Sequence, residues 1–187
     1  MAAKLAISCF VLLSMAMISS AMAAEYSFAS NLNPKVLRLK KEKLTHFHLY
    51  WHDVVGGNKP TSIAVLPGLS NTTLFGLVNM FDNPLTVGPH PKSQLVGRSQ
   101  GLYASAAQTE IGLLMAMNFV FTSGKYNGSS IAILGHNPIL NTVREMPVVG
   151  GSGRFRFARG FAQARTQFFN ATSLDAVVEY NIYVLHY

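Results

Sequence analysis

The chain has 187 residues, of which 49% are hydrophobic, 11% aromatic and 12% charged, and this composition excludes an intrinsically disordered protein. At about 150 residues per domain the length fits one folded domain, large enough to bury a core without metal or disulfide staples. Fifteen Lys and Arg against eight Asp and Glu give a formal net charge of +7, but the low density of charge argues against a nucleic-acid-binding protein.

The first predicted element is a cleaved leader at residues 1–23. Met1 to Lys4 is a short basic region, and Leu5 to Ser20 is an apolar run too short and too poorly flanked to span a membrane. Ala21-Met22-Ala23 supplies the small residues that signal peptidase needs next to its cut. We therefore expect a secreted chain that starts at Ala24 and has no membrane segment after the leader is removed.

Two further features of the sequence agree with secretion. The single cysteine, Cys9, lies in the leader, so we expect a mature chain with neither a disulfide nor a thiol nucleophile. Three Asn-x-Ser/Thr sequons begin at Asn71, Asn127 and Asn170, each in a polar stretch between apolar runs. These stretches are predicted to be loops, and the three asparagines are predicted glycosylation sites.

Residues 24–43 are predicted to form an exposed basic arm, because cations accumulate there with little apolar periodicity. The arm is either a solvated tail or a segment that contacts an acidic wall polymer such as pectin. Its cations are Lys35, Arg38, Lys40, Lys41 and Lys43.

Residues 44–187 are predicted to form one all-β domain. Apolar runs rich in β-branched and aromatic residues, about eight to ten residues long, alternate with clusters of Gly, Asn, Pro and Ser. One run, Glu110 to Thr122, contains Leu113 to Met117, which fits a helical turn as well as a strand; the uninterrupted Asn118 to Thr122 favours the strand. The nine runs are Leu44 to Val54, Ser62 to Pro67, Leu74 to Phe81, Leu95 to Gly101, Glu110 to Thr122, Ser130 to Leu134, Met146 to Val149, Phe155 to Phe169 and Ala176 to His186.

The number of strands predicts how the domain closes. No internal repeat of about 20 to 50 residues is present, which excludes propellers and solenoids. Antiparallel strands that lack partners for their edges are best closed into a barrel. We therefore predict an eight-stranded antiparallel β-barrel, just wide enough to hold one small ligand.

Asp53 is the first candidate catalytic residue. Strand alternation places it on the same face as Phe47, Leu49 and Trp51. If that apolar face lines the barrel, burial raises the pKa of the Asp53 carboxyl and makes it a proton donor or acceptor. The alternative is that Asp53 ends the strand and caps the following turn in water.

Motifs for metals and cofactors are weak in this sequence. His46, His48 and His52 share the opposite face of the first run, but no further ligands follow at a convincing spacing. Gly150 to Gly153 lacks the spacing and the following helix of a dinucleotide or phosphate loop and is predicted to be a hairpin turn. We therefore predict no metal and no cofactor.

A second group of candidate residues lies in and near a predicted loop at the mouth of the barrel, Gly135-His136-Asn137-Pro138. Arg144 follows this loop and is a fixed cation with five donors, available either to a ligand or to a neighbouring acid such as Glu145 or Asp175. Tyr103 offers a phenol to an aromatic pocket, or else packs within its strand.

Taken together, these segments resemble the plant dirigent proteins, and the matching stretches run in order through the whole of residues 44–187. They are His52-Asp53, Thr73 to Gly76, Gly97 to Tyr103, Gly112 to Thr122, Gly124 to Gly128, Ile133 to Gly135, Arg144 to Gly153, Phe157 to Gly160 and Val177 to Asn181.

The resemblance implies a barrel of the dirigent or allene-oxide-cyclase-like type, assembled as a trimer and secreted to the apoplast. Such proteins take phenoxy radicals that a separate laccase or peroxidase makes, for example from coniferyl alcohol, and decide which faces couple to give a lignan. A chain with no redox centre of its own is expected to orient the radicals and to move protons on the quinone methide formed on coupling.

The resemblance also assigns roles to four residues. Asp53 and Arg144 match catalytic positions, and Tyr103 matches a tyrosine of the pocket. Asn137 is assigned to substrate binding, but it departs from the second aspartate that pinoresinol-forming members carry in a Gly-x-Asp-Pro loop. An amide forms hydrogen bonds but does not donate a proton as an acid.

The sequence thus favours a secreted dirigent protein that makes phenoxy radical coupling stereoselective. The first alternative is an enzyme of the same fold that dehydrates an isoflavanol to a pterocarpan through a quinone methide, as Asn137 and Met146 to Val149 indicate by resemblance to that branch. The second alternative is a wall-associated defence or structural protein that uses the basic arm.

Overall fold

The computed structural model describes residues 28–187, and the leader predicted at residues 1–23 lies outside the described residues. From residue 28 to residue 39 the chain is exposed and contains one 3₁₀ turn, Pro34–Leu37. Asn33 begins this turn, and its side-chain oxygen accepts a hydrogen bond from the Lys35 backbone N–H at 3.0 Å. Both the Asn cap and the Pro at the first position favour a turn at this point.

The compact unit from Lys40 to Tyr187 is built from antiparallel strands joined by loops and two further 3₁₀ turns, Gly124–Tyr126 and Gly153–Phe155. No α-helix occurs in residues 28–187. The strands are β1 (Lys43–Asp53), β2 (Ser62–Leu66), β3 (Val78–Thr86), β4 (Leu95–Ser105), β5 (Leu113–Phe121), β6 (Ser130–Asn137), β7 (Arg144–Ser152), β8 (Arg159–Phe169) and β9 (Ala176–His186).

Eight of these strands close into a ring. The hydrogen-bonded order is β1-β9-β8-β7-β6-β5-β4-β3, and β1 returns to β3 where Trp51 faces Leu85. β2 is a short additional strand that pairs with β3, with Ser62 opposite Phe81. The predicted all-β class and eight-stranded antiparallel barrel are confirmed.

Each predicted apolar run overlaps a strand, and the differences lie at the ends. The run that begins at Leu74 becomes a strand only at Val78, because Leu74 and Gly76 take positive φ angles of 59° and 90° and turn the chain. Gly150–Ser152 continues β7, so the predicted hairpin turn is wrong and the chain turns at Gly153, which has φ 61°. The strand prediction for residues 113–117 is confirmed, since β5 shows buried residues at every second position.

The side chains that point inward from alternate strand positions differ between the two ends of the barrel. At one end, here called the closed end, Phe47 stacks on Phe121 with ring centroids 4.9 Å apart, and Tyr126 packs on Phe155 at 5.2 Å. β1 runs from the closed end to the opposite end, where its last residue is Asp53. That opposite end is called the mouth, and polar side chains collect there.

Among the described residues, the structure contains no helix with the length and apolarity needed to cross a bilayer.

Candidate active site at the barrel mouth

Asp53 is the buried polar residue of the apolar face of β1. Phe47, Leu49 and Trp51 are buried on that face as the alternation predicts, and Asp53 is only 7% exposed. The turn after β1 is capped by Asp175, whose carboxylate accepts hydrogen bonds from the Val55 and Gly56 backbone N–H groups at 2.8 and 3.0 Å. The alternative role of Asp53 as a solvent-exposed turn cap is therefore wrong.

Two hydrogen bonds hold the Asp53 carboxyl in place. The Asn83 amide donates to Oδ1 at 3.0 Å, and the Tyr103 hydroxyl donates to Oδ2 at 3.3 Å. Burial raises the pKa of Asp53 to about 6, and the hydrogen bond from Asn83 opposes the rise. In mildly acidic solution the carboxyl is therefore present in both protonation states, as a group that exchanges protons requires.

Tyr103 links Asp53 to a small network of neutral polar groups. Its hydroxyl oxygen accepts a hydrogen bond from the Asn79 amide at 2.7 Å and lies 3.2 Å from the Ser62 hydroxyl. Burial raises the pKa of Tyr103 to about 12, so the phenol stays protonated and remains a donor. The ring stacks on Phe81 at 5.8 Å.

Arg144 is the cation of the mouth and is 3% exposed. Its Nε donates to Asn137 Oδ1 at 3.1 Å. Neither predicted acidic neighbour pairs with it, because Glu145 accepts from the Gln163 amide at 3.2 Å and Asp175 is occupied by the turn after β1. Burial lowers the pKa of Arg144 but leaves the guanidinium charged at physiological pH.

Tyr180 is buried where the charges of both Asp53 and Arg144 reach it. It is 1% exposed and lies on β9 opposite Leu49 on one side and Ala164 on the other. Burial raises the pKa of Tyr180, the Arg144 charge opposes the rise and the Asp53 charge adds to it. The pairs Asp53–Tyr103 and Arg144–Asn137 are thus brought to the same end of the barrel.

Three buried polar atoms among the described residues have no hydrogen-bond partner in the protein. They are Trp51 Nε1, Asn79 Oδ1 and Arg144 Nη1. Buried polar groups are almost always paired, because an unpaired one costs free energy. Two donors and one acceptor left unpaired inside one barrel indicate a site that a polar ligand completes.

The sequence analysis missed four residues of this network: Asn79 and Asn83 on β3, Ser62 on β2, and Tyr180 on β9. A signal for the two amides is present, since Asn79 and Asn83 alternate with the apolar Phe81 and Leu85. The predicted run ended at Phe81 and so did not include Asn83. The roles of Ser62 and Tyr180 depend on partners from other strands and carry no local signal.

The three histidines of β1 contact different partners. His46 Nε2 lies 2.9 Å from Asn181 Oδ1, and His48 Nε2 lies 2.7 Å from Glu179 Oε1. His52 is buried, and its Nε2 lies 2.7 Å from the Thr86 hydroxyl. Within residues 28–187 no group of three potential ligands is arranged to hold a metal ion.

The three sequons lie in exposed loops, as predicted. Asn71 lies between β2 and β3, Asn127 between β5 and β6, and Asn170 between β8 and β9. Their glycosylation stays a prediction.

A groove of about 320 Å³ lies beside β2 and β3 and has no side chain of the candidate site on its wall. It reaches the mouth network through Thr61, whose hydroxyl donates to Asn83 Oδ1 at 2.5 Å, and through Phe81, whose ring stacks on Tyr103. Its lining residues are Pro60, Thr61, Ile63, Met80, Phe81 and Asp82. We therefore place the candidate site inside the barrel mouth.

The mouth combines four chemical capacities. The Asp53 carboxyl, with a pKa raised to about 6, can exchange a proton, the Tyr103 hydroxyl can donate a hydrogen bond, the Arg144 guanidinium can stabilise an oxyanion, and Asn137 accepts a hydrogen bond from that guanidinium. The ring of Trp51 lies two residues before Asp53 on the same face of β1, is buried, and packs edge-on against Phe81 with centroids 5.5 Å apart.

Comparison with known proteins identifies the family of the chain. The profile of the family described as dirigent-like protein matches residues 44–185. The chain is 55% identical to "Dirigent protein 7" of Arabidopsis thaliana over 161 residues, 86% of this chain and 87% of that protein. It is 47% identical to "Pterocarpan synthase 1" of Glycine max over 182 residues, 95% of this chain and 97% of that protein. The solved structure of the pterocarpan synthase dirigent protein GePTS1 superposes with a TM-score of 0.75 at 50% identity, covering 79% of this chain and 87% of that one. The chain therefore belongs to the dirigent-like protein family.

Proposed function

We propose that this chain is a secreted dirigent protein that makes the coupling of phenoxy radicals stereoselective, using radicals from a separate laccase or peroxidase. The observation that carries the proposal is the buried carboxyl of Asp53, held by Tyr103 at 3.3 Å, at the same barrel end as the incompletely paired guanidinium of Arg144. An apolar barrel with these few polar groups suits an aromatic substrate that must be oriented and then exchange protons.

The proposed chemistry balances without a redox step in the protein. Two radicals each contribute one electron to a new carbon–carbon bond and give a quinone methide. A side-chain hydroxyl of the substrate then attacks the quinone methide and loses its proton to the Asp53 carboxylate, while the ring oxygen becomes a phenolate beside Arg144. The proton held by Asp53 then passes, by way of solvent, to the phenolate, and the carboxylate is restored. Stabilisation of that late charge is the role of the guanidinium.

A second function is favoured by Asn137, which leaves Asp53 as the acid of the described mouth network. In this alternative the protonated Asp53 donates to the leaving hydroxyl of an isoflavanol, which departs as water. The conjugated phenol of the same ring loses its proton, which returns to Asp53 by way of solvent, and a neutral quinone methide is left. A phenolic hydroxyl of the same molecule closes the ring to the pterocarpan, and the proton it loses balances the one regained at the quinone methide oxygen. The similarity to proteins named pterocarpan synthase supports this alternative.

One experiment separates the two functions. In the first assay the protein is incubated with coniferyl alcohol and a laccase, and the enantiomeric excess of the coupled product is measured. In the second assay it is incubated with an isoflavanol and no oxidase, and the loss of one water from the isoflavanol is measured by mass spectrometry. Selective coupling supports the first proposal, and dehydration without an oxidase supports the second. Racemic coupling together with no dehydration would contradict both.

Variants of the mouth test the residues proposed to act. Asp53→Asn is expected to lower the rate of the selective coupling or of the dehydration by about 10² to 10⁴, the usual contribution of a positioned proton-transfer group. Arg144→Leu is expected to lower it by about 10² to 10³, the usual effect of losing an oxyanion-stabilising donor. Asp82→Asn, on the exposed side of β3, is the matched control and is expected to retain full activity. Full selectivity of the folded Asp53 and Arg144 variants on the true substrate would remove both residues from the mechanism.

The proposed location follows from the leader at residues 1–23, the arm at residues 24–43 and the barrel domain at residues 44–187. We expect secretion to the apoplast, cleavage before Ala24, and glycans on one or more of Asn71, Asn127 and Asn170. N-terminal sequencing of the secreted protein and a mass shift on glycosidase treatment test these expectations.

A further inference from the structure

The closed end of the barrel carries positive charge that no acidic side chain balances. It is formed by the start of β1 and by the loops after β5 and β7. Glu42 is the single acidic side chain in residues 40–43, 122–129 and 153–158. Six exposed cations, here called the basic end, are Lys40, Lys41, Lys43, Lys125, Arg154 and Arg156.

Aromatic packing brings these distant segments together. Lys125 Nζ lies 4.9 Å from the centroid of the Tyr126 ring, which packs on Phe155 at 5.2 Å. Phe155 is fully buried and contacts the His186 ring at 5.0 Å. His186 in turn lies opposite Lys43 in the β1–β9 pairing.

The charges of the basic end are not neutralised within the fold. Arg159 binds both carboxylate oxygens of Glu42, at 2.6 and 3.0 Å, and so occupies that acid. None of the ion pairs between described residues includes one of the six cations. Other acids lie at or near the mouth, such as Glu110 in the loop after β4 and Asp175 in the loop before β9.

We propose that the basic end binds an acidic polysaccharide through the carboxylates of its uronic acid units. The Arg154 and Arg156 guanidinium groups accept carboxylates in a bidentate manner, and the lysines add mobile point charges. A single small anion on such an exposed face is held weakly, because each ion pair is solvated and screened. A polymer engages several cations at once, and multivalency then supplies the affinity.

A uronate polymer fits better than a nucleic acid because the predicted leader directs the chain out of the cell, where carboxylated polysaccharides are the abundant polyanions. The basic end also lies at the opposite end of β1 from Asp53. Binding there leaves the mouth open, so this inference does not depend on the proposed function, and the protein is expected to act while it is attached to the polymer.

The test uses the full chain secreted from a eukaryotic host and immobilised polygalacturonate at low and physiological salt. Replacing two cations, Arg154→Gln with Arg156→Gln, is expected to weaken binding by about tenfold. The Arg154 backbone N–H keeps its hydrogen bond to the Ser129 hydroxyl at 3.1 Å in this variant. Lys59→Gln with Arg165→Gln changes the net charge equally at exposed positions outside the basic end and is expected to bind like the unmodified protein.

Two further arms identify the ligand. Methyl-esterified polygalacturonate, which lacks the negative charge, is expected to bind at least about tenfold more weakly than the free acid. Equal losses of binding in the two double variants would overturn the proposal, because they would show that the basic end has no special part in binding. Equal binding to the esterified polymer would also overturn it, because it would show that the carboxylates are not recognised. Tighter binding to single-stranded DNA than to polygalacturonate at the same salt would overturn it in favour of a nucleic acid. An unchanged melting temperature of Arg154→Gln with Arg156→Gln establishes that the fold is intact.

Discussion

At the scale of single residues, the buried carboxyl of Asp53 links the stability of the barrel to pH. Burial raises its pKa to about 6, whereas in an unfolded chain an aspartate titrates near 4. The folded state therefore binds the proton more tightly than the unfolded state between these two pH values. By linkage, the contribution of Asp53 to stability is fully present below about pH 4 and is lost as the pH rises to about 6.

Asp53→Asn is expected to stabilise the fold at pH 7, by up to about 3 kcal/mol, because it removes the cost of a buried charge. The amide retains a carbonyl that accepts from Asn83. Urea unfolding at pH 4 and pH 7 measures the effect, and the advantage of the variant must shrink at pH 4. Glu110→Gln, an exposed position, serves as the control. An equal difference at both pH values would show that Asp53 does not titrate as described.

Thr61 sets the orientation of the amide next to Asp53. Its hydroxyl donates to Asn83 Oδ1 at 2.5 Å, which leaves the Asn83 N–H₂ group to face Asp53, and it accepts from the Val54 backbone N–H at 3.3 Å. Thr61 is therefore a positioning residue: it acts on the carboxyl through Asn83.

Thr61→Val is expected to release the Asn83 amide, weaken its bond to the Asp53 carboxylate and raise the pKa of Asp53 further. The midpoint of the pH profile of activity then moves upward, and the fold loses about 1–2 kcal/mol from the broken hydrogen bonds. Thr61→Ser, which keeps the hydroxyl, should restore the original midpoint. Identical midpoints for the valine and serine variants would contradict this role.

At the scale of elements, the wall of the site depends on close contact between β4 and β5. Gly101 lies on β4 two residues before Tyr103, and a Cβ at this position would lie 2.2 Å from the Ala116 carbonyl oxygen and 2.7 Å from Met117 Cα. Both obstacles are backbone atoms, so only a movement of one strand makes room. The glycine therefore keeps the two strands close where β4 positions the Tyr103 phenol.

Gly101→Ala is expected to destabilise the fold by about 3 kcal/mol through overpacking and to displace Tyr103. Gly150→Ala is the matched control, since a Cβ there meets no atom within 4 Å, and its effect should stay within about 1 kcal/mol. Urea unfolding of both variants decides. A Gly101→Ala protein as stable as the Gly150→Ala protein would show that β4 and β5 separate at little cost.

At the scale of the whole molecule, the outer wall of the barrel exposes aromatic groups across three neighbouring strands. Phe161 on β8 stacks on Tyr183 on β9 at 4.9 Å, and Tyr183 stacks on His46 on β1 at 4.6 Å. Phe161 is 37% exposed in the single chain. An exposed apolar face of this kind favours contact with another copy of the chain.

We expect barrels to assemble side by side through this face, as the trimer of the family resemblance implies. Sedimentation velocity at micromolar concentration should give an oligomer for the unmodified protein and a monomer for Phe161→Arg. Leu134→Arg introduces the same charge at an exposed position of β6, and this variant should remain an oligomer. A monomeric unmodified protein would contradict the expectation, and an intact Phe161→Arg oligomer would place the interface elsewhere.

Much of the fold and part of the site could be predicted from the sequence because their signals are local. Alternation with a period of two identifies strands and sorts their side chains, so the apolar face of β1 and the place of Asp53 on that face follow from consecutive residues. The segments of the family resemblance then single out Tyr103, Asn137 and Arg144. Strand ends were less accurate, because the turns at Leu74 and Gly153 depend on positive φ angles that the surrounding pattern does not reveal.

The partners of the site residues were decided only by the tertiary structure. Tyr103 reaches Asp53 from 50 residues away in sequence, and Asp175 caps the turn after β1 from 120 residues away. Such pairs depend on strand order and register, which place residues side by side only after the ring has closed. For the same reason the sequence by itself determined an all-β chain with an acid on an apolar strand face, whereas the tertiary structure decided that this acid is buried and that cations from three separate segments meet at the closed end.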